Sequence, residues 1–538
     1  MKIKTMSFSL LLALSLTAAG CSGKGDSPSP GADGAPKGDA KPISFKVMDW
    51  QGQNPPYEAA YEDAIKTYMK LHPNVKIERI YQPNANNGYE KLLDTQFVSH
   101  NAPDAIQLDG NMIKKYTNQE YIMPLDSYMQ QPTPYSGGKK WIETFVGGEE
   151  SFLTAKTENR LGAISFVPVD GGPGLMENRP FFYNKDLLAK AGVTDIPTTW
   201  KQFIEACKKL KAAGITPVAA DNNRFLNWIQ NWTGNQFGEN AASAFFDSKY
   251  DGIQELYGPK RSIAVFTGKI DRNDGIVQAQ TDLIKEFSQY WQDGWAGANE
   301  QAAQQLFLYQ KAAFLLDGNW NYGHYKNNIK DFQWSVMPFP MITKETSPLA
   351  EEAFPKGATA ITIYGWGLNK DLEKDPEKLK AVLDYFQYVT SKEAQERFVD
   401  IAVTNSPVAG VKVPEAMKPF METDKNRLKV PIGNALYLEA DPTVRTAAAQ
   451  QFLTGKIDKN EYLKTLADSA AQKLDKKVRD QLDDKIGIPS TIAAVQKQID
   501  ELKASGAPEL LVKVKQKSLE TLNQQLELYR TYAKPALK

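Results

Sequence analysis

Histidine, the side chain best suited to proton transfer and metal binding near neutral pH, occurs three times, at His72, His100 and His324, without metal-type spacing. The two cysteines, Cys21 and Cys207, belong to no Cys/His cluster. No G-x-S-x-G elbow, Walker loop or G-x-G-x-x-G fingerprint is present. Asp271, Asn273, Asp274 and Gly275 fail the EF-hand spacing, which needs further ligands and a terminal Glu, so a helix cap is the expected role. Carboxylate pairs remain available for acid/base work. What the chain offers in quantity is aromatic surface. Its 10 Trp, 23 Tyr and 24 Phe suffice to line a large cleft with flat apolar faces. The residue types point to recognition rather than turnover, with neither metal nor cofactor.

The first 42 residues concern location. Lys2 and Lys4 precede an uncharged run from Met6 to Ala19 built on Leu10, Leu11, Leu12, Leu14 and Leu16. That run is too short for a mature membrane span and reads as a signal peptide over residues 1–20. It ends in Ala18-Ala19-Gly20-Cys21, which resembles the lipobox of bacterial lipoproteins, with Ala18 where Leu is commoner. The resemblance implies that Cys21 is acylated and begins the mature chain on the extracytoplasmic face of the cell membrane. The alternative is an ordinary secretory signal with an incidental cysteine. Residues 22–42 hold only Ser, Gly, Pro, Ala, Asp and Lys and read as a flexible tether.

The chain carries 64 basic and 64 acidic residues, and removing residues 1–20 takes away Lys2 and Lys4 alone, leaving 62 against 64. That balance offers no basic field for nucleic acid. Cys207 has no partner for a disulfide once Cys21 is acylated. It shares a helical face with Phe203 and Leu210 and is expected in the core.

Alternation predicts strands at Ile43–Met48, Val75–Ile80 and Pro103–Leu108, with helices at Tyr57–Leu71 and Tyr89–Val98 between them. This β-α-β-α-β order implies an α/β fold with a largely parallel sheet and ligands beyond the carboxyl ends of its strands. Those ends carry Trp50, Gln51, Asp109 and Asn111. A second α/β unit opens at Phe181. A helix ends at Gly192, and another starts on a Thr cap in Pro197-Thr-Thr-Trp200. Ala312-Ala-Phe-Leu-Leu-Asp-Gly-Asn-Trp reads as a buried strand with Trp320 at its end, and Ala358–Asn369 carries Ile361-Thr-Ile followed by Gly365-Trp-Gly-Leu, with Trp366 ending a strand. Helices are expected over Pro376–Val399 and Thr423–Asp475.

Phe182-Tyr-Asn-Lys-Asp-Leu-Leu, Ala-Gly-Val, Pro-Thr-Thr-Trp-Lys-Gln-Phe and Gly214-Ile-Thr-Pro resemble the middle of family 1 extracellular solute-binding lipoproteins of carbohydrate ABC importers. Pro103-Asp-Ala, Gly318-Asn-Trp, Gly365-Trp-Gly-Leu, Asn405-Ser-Pro-Val and Gly455-Lys-Ile-Asp follow in that family's order. The resemblance implies two discontinuous lobes, 43–165 plus 357–405 and 166–356 plus 406–478, with an oligosaccharide captured between them for an ABC permease. It implies a monomer, and no enzyme. The rival readings are a lipid-anchored lyase or hydrolase and a surface adhesin or sensory partner.

A sugar site needs aromatic planes and side chains with paired donors and acceptors. Trp320 and Trp366 match aromatic-bearing positions of the family. Trp50 fits cleft and core equally, whereas Trp200, Trp291 and Trp295 sit in helical patterns that suit a core. Asp109, Asn111 and Gln51 serve either hydroxyls or a strand-to-helix turn. Glu177 and Arg179 fit a polar contact or a surface ion pair. Asn223, Arg224 and Phe225 correspond to a contact loop of the family, and Tyr437 is a further candidate.

Beyond Lys477, where most family members end, Ile492, Val495, Ile499 and Leu502 follow 3-4-3 spacing. Gly506-Ala-Pro508 interrupts it, and Leu511, Val514, Leu522, Leu526 and Tyr529 resume it. The pattern predicts a helical hairpin at 485–535, packed on the body or serving as a dimer seam or partner arm. Its self-contained seams imply that a chain ending at residue 480 folds and binds. At the other terminus, Cys21→Ser is expected to release the protein from the membrane or leave it unprocessed. Full membrane retention through an acylated N-terminus, read by fractionation and mass spectrometry, would contradict the anchor.

Overall fold

Strand β1, Ile43–Asp49, alternates through its first five residues, with Phe45 and Val47 inward at 1% exposure each and Ser44 and Lys46 facing solvent, and then buries Met48 and Asp49 on both faces. It pairs in parallel with β2, Val75–Tyr81, and with β3, Ala105–Asp109. Helices Pro55–Leu71 and Gly88–Val98 make the crossovers. The fourth strand of this sheet, β8 at Tyr364–Leu368, arrives from far along the chain and runs antiparallel to β3. The sheet order is β2-β1-β3-β8. These coordinates come from a computed structural model that describes residues 41–84, 88–152, 155, 159, 161–170, 181–234, 236–237, 245–250, 256–352, 364–417, 434–506 and 509–537.

The second sheet has the order β5-β6-β4-β7, from β4 (Phe181–Asn184), β5 (Thr216–Ala219), β6 (Ala312–Leu316) and β7 (Trp334–Met337). Every residue of β6 is buried, as a central strand covered on both faces requires. The pleat splits β4 between two apolar clusters. Phe181 and Tyr183 face the larger core, which holds Trp200, Phe203, Cys207, Trp291 and Trp295, and Phe182 packs with Phe307, Tyr325 and Phe332 on the other side. Thr199 caps the helix Trp200–Ala212 in a reciprocal box with Gln202, and Gly192 takes a left-handed turn after the helix Lys185–Lys190. Asp274 caps Gly275–Ser288 by accepting from the Ile276 amide at 2.8 Å.

Each sheet therefore has its own core. Phe166, Val167 and Val169, just past the expected limit of 165, pack in the first core, and so does Val408, beyond 405. The Pro376–Val399 pattern resolves into two helices, Pro376–Val389 and Lys392–Ala402, with Ser391 capping the second. The candidate residues Cys21, Glu177 and Arg179 lie outside the described residues, as do Ile361-Thr-Ile and the start of the 423–475 stretch.

Past the helix Lys459–Leu482, Ile488–Ala504 and Glu509–Leu528 form the predicted hairpin, turning at Gly506. Val495, Ile499 and Val512 make a small core between its helices. Its C-terminal end is different: Leu526, Leu528, Tyr529 and Ala533 are buried in the second core at 0–7% exposure. Tyr532 packs on Phe246 and its hydroxyl accepts from the Asp247 amide at 3.0 Å. A cut at 480 would remove these core residues and uncover the apolar surface beneath them, a cost in stability separate from ligand binding. Leu528→Ala is expected to lower unfolding free energy by about 2–5 kcal/mol, the range for emptying a buried leucine site. A melting curve superimposable on the parent's would contradict the docking of the hairpin.

Candidate functional site

The helix Arg224–Gly234 starts just after β5, at the carboxyl end of the second sheet. Arg224 and Trp228 are four residues apart and share a helical face. The Arg224 guanidinium lies 4.8 Å from the Trp228 ring and 5.9 Å from the Trp320 ring, and the two indoles meet edge to face at 5.7 Å. Trp320 follows β6, on a turn of 3-10 helix. All three side chains are partly exposed.

Two carboxylates meet Arg224. Asp317, fully buried at the end of β6, accepts from Arg224 Nη2 at 2.7 Å, and Glu300 pairs with Nη1. Asp317 also accepts from the Gly318 amide at 2.7 Å, from Asn321 Nδ2 at 3.0 Å, from Gln304 Nε2 at 3.2 Å and from the Tyr325 hydroxyl. A buried carboxylate needs this density of donors. Burial raises the Glu300 carboxyl to about 7, against the pull of Arg224. The cluster thus presents two aromatic faces over a cation already neutralised by its neighbours.

Beside it, a groove of about 530 Å³ is lined by Asn223, Asn227, Thr443, Arg445, Thr446 and Gln450. Tyr437 sits beneath this groove, 2% exposed, with Arg445 at 4.9 Å from its ring. Its hydroxyl donates to Asn227 Oδ1 at 2.8 Å, so Tyr437 positions Asn227.

On the first sheet, Trp50 packs edge to face on Tyr89 at 5.0 Å and on Tyr364 at 5.6 Å. Gln51 Nε2 donates to the Tyr364 hydroxyl at 2.7 Å and to Asp170 Oδ2 at 3.3 Å. Gln107 also donates to Asp170, whose carboxyl is raised to about 6 by burial. Asp49 is fully buried and held by Arg79 through contacts of 2.7 and 2.9 Å. The two sheets' contributions adjoin: Asn54 Nδ2 donates to the Trp320 carbonyl at 2.9 Å, and Trp320 packs against the first core.

Several sequence candidates take other places. Trp366 is 2% exposed and packed on Tyr61 and Phe386. Because β8 runs antiparallel to β3, Tyr364 stands opposite Asp109 at the rim and Trp366 opposite Gln107, about 7 Å deeper. Phe225, at 1%, is core. Asp109 caps the helix Gly110–Asn118 by accepting from the Met112 amide at 2.9 Å, and Asn111 is exposed on that helix. Trp50, Gln51, Asn223, Arg224 and Trp320 lie at the surfaces just described. Sequence reasoning passed over Trp228, Glu300, Gln304, Asp317 and Tyr364. The i, i+4 spacings Arg224/Trp228 and Glu300/Gln304 were signals for three of these five. Among the described residues no group of three or more His, Cys, Asp or Glu is placed to hold a metal ion, and no helix is long and apolar enough to cross a membrane.

Bacterial extracellular solute-binding proteins match this chain over residues 52–396, and the chain belongs to that family. The multiple sugar-binding protein of Streptococcus mutans is 20% identical over 367 residues, 68% of this chain and 75% of its own length. The maltodextrin-binding protein MdxE of Bacillus subtilis is 27% identical over 338 residues, 60% of this chain and 66% of its own. The sn-glycerol-3-phosphate-binding protein UgpB of Rhizobium meliloti is 25% identical over 253 residues, and the match spans about half of that relative, 49%. Among solved structures, a chitin oligosaccharide binding protein superposes with a TM-score of 0.57 at 21% identity, over 80% of this chain and 99% of its own. RafE in complex with raffinose gives 0.53 at 15% identity, over 80% and 100%. The fold is the two-lobe α/β fold of binding proteins.

Glu300 supplies a pH test. Its carboxyl lies near 7 in the folded protein against an ordinary 4.5, so its neutral form is the better tolerated one. The stability it contributes is fully present below about pH 4.5 and is lost as pH rises through about 7. Glu300→Gln mimics the neutral form. The variant's melting temperature relative to the parent is expected to rise between pH 5 and pH 8, and an unchanged difference would contradict the burial argument.

Proposed function

We propose that this protein captures a neutral oligosaccharide between its lobes and delivers it to an ABC permease, tethered outside the cytoplasm by acylated Cys21. One observation carries the ligand class. Arg224 lies against two tryptophan rings while buried Asp317 neutralises it and Glu300 occupies its other nitrogen, so this cluster offers apolar planes and hydrogen bonds without net positive charge. Sugar C–H faces stack on such rings, and hydroxyls find donors and acceptors in Asn223, Asn227, Gln304 and Gln51. A phosphate ester, the ligand named for the UgpB relative, needs an unpaired cation that this cluster does not supply. The names of the sugar-binding relatives and neighbours support the same class.

The mechanism is hinged closure. Ligand contacts to both lobes select a closed state that differs from the open one by a few kcal/mol. Neither covalent step nor nucleic-acid partner is part of this reading, and the protein acts as a monomer. An enzymatic alternative has one supporting feature, the raised Glu300 carboxyl, which suits a general acid. Incubation with chito-, malto- and raffinose-type oligosaccharides separates the two: intact glycan with a raised melting temperature supports capture, and cleavage supports an enzyme. Saturation at 100 times Kd is worth about 2.7 kcal/mol.

Trp320→Ala is expected to weaken the glycan that binds at least about 10-fold by calorimetry, since one decade is ~1.4 kcal/mol and an aromatic contact is worth about that with its buried area. Unchanged affinity in a folded variant would remove Trp320 from the site.

A further inference from the structure

The C-terminal hairpin is absorbed neither by the site nor by the second core alone. Its root is fixed: Leu526, Leu528, Tyr529 and Ala533 are buried in the second core, and Lys249 pairs with Glu527 at 2.7 Å. Its shaft is stiffened by Val495, Ile499 and Val512, with Leu502, Leu519 and Leu522 against them. Lys515, 14 residues before Tyr529 and so about 21 Å up the helix, donates to Gln498 Oε1 at 2.8 Å, which fixes its stem across both helices.

There the hairpin meets the other lobe. The Lys515 side chain runs across Gly162, where an added Cβ would lie 2.7 Å from Nζ and 3.0 Å from Cδ. Gly162 has φ +57, a conformation suited to glycine, and opens the segment whose Ile164, Phe166, Val167 and Val169 belong to the first core. One rigid element is thus embedded in the second lobe and abuts the first. The lobes also touch at Gly323, where an added Cβ would lie 2.7 Å from the Ala402 carbonyl and 3.1 Å from Pro56.

We propose that the hairpin is an intramolecular strut: rooted in the second lobe and bearing through Lys515 on Gly162 of the first, it biases the angle between the lobes before ligand arrives. A rotation that closes or opens the cleft changes the distance between root and Gly162, so Lys515 must slide or detach. The bias belongs to a single solvent-accessible contact, and its removal shifts lobe populations about two- to five-fold. The strut rests on the two-lobe fold and not on the ligand class.

The test is made on ligand-free full-length protein in a Cys21→Ser background, since Cys207 is fully buried and does not label. Spin labels at Val98→Cys in the first lobe and Tyr309→Cys in the second, both exposed (71% and 69%), report the interlobe distance by pulsed electron resonance. Lys515→Ala is expected to redistribute the populations, and Lys515→Arg, which keeps a long cationic stem, to restore the parent's. A Lys515→Ala distribution that superimposes on the parent's overturns the strut. Because no glycan is added, that failure is independent of whether the cleft binds sugar.

Discussion

A fully buried carboxylate organises the second half of the cleft. Asp317 follows a strand whose five residues are all buried, and an unpaired charge there costs about 3–5 kcal/mol. The chain meets that demand with donors from four places: Arg224 at a helix start, Gln304 on another helix, Asn321 and the Gly318 amide on the turn, and Tyr325 beyond it. Satisfying Asp317 fixes Arg224, and Arg224 in turn fixes the planes of Trp228 and Trp320. The placement of these two rings is therefore a by-product of electrostatic necessity in the core. The same logic holds on the first sheet, where buried Asp49 and Asp170 gather Arg79, Gln51, Gln107 and Tyr364 at the strand ends.

The two halves are coupled through few polar contacts. Asn54 holds the Trp320 carbonyl, and Gly323 allows the Ala402 carbonyl to approach. Sparse coupling of this kind lets two rigid cores reorient without disrupting either. The buried end of the hairpin belongs to one of those cores, and its shaft reaches the other.

Much of this architecture was legible in the sequence. Alternation in Ile43–Asp49, the Thr199 cap and the all-apolar run of β6 are local signals, and local physics decided them. The site was legible only in part. Arg224 and Trp320 were reached by family resemblance, but Asp317 was not, because its donors are scattered over about a hundred residues and meet only in the fold. Trp366 misled for a topological reason: an antiparallel strand enters from the rim, so its first residue, Tyr364, is the one nearest the rim and only partly buried, and Trp366 lies deeper. In the hairpin, one apolar pattern serves two purposes. Leu522 touches both cores, while Leu526 and Tyr529 leave the hairpin's own seam for the second core, and periodicity cannot tell those partners apart.

The central claim is that neutral glycan is held on the Trp228–Trp320 surface. The most direct measurement is an indole ¹H–¹⁵N spectrum of the tryptophan-labelled protein, assigned by substitution and titrated with neutral oligosaccharides and with sn-glycerol 3-phosphate. The account predicts saturable shifts of the Trp228 and Trp320 indoles with a neutral glycan, while buried Trp200 and Trp366 stay nearly fixed. Shifts of those two indoles by the phosphate ester alone, or none with any glycan that binds, would contradict it.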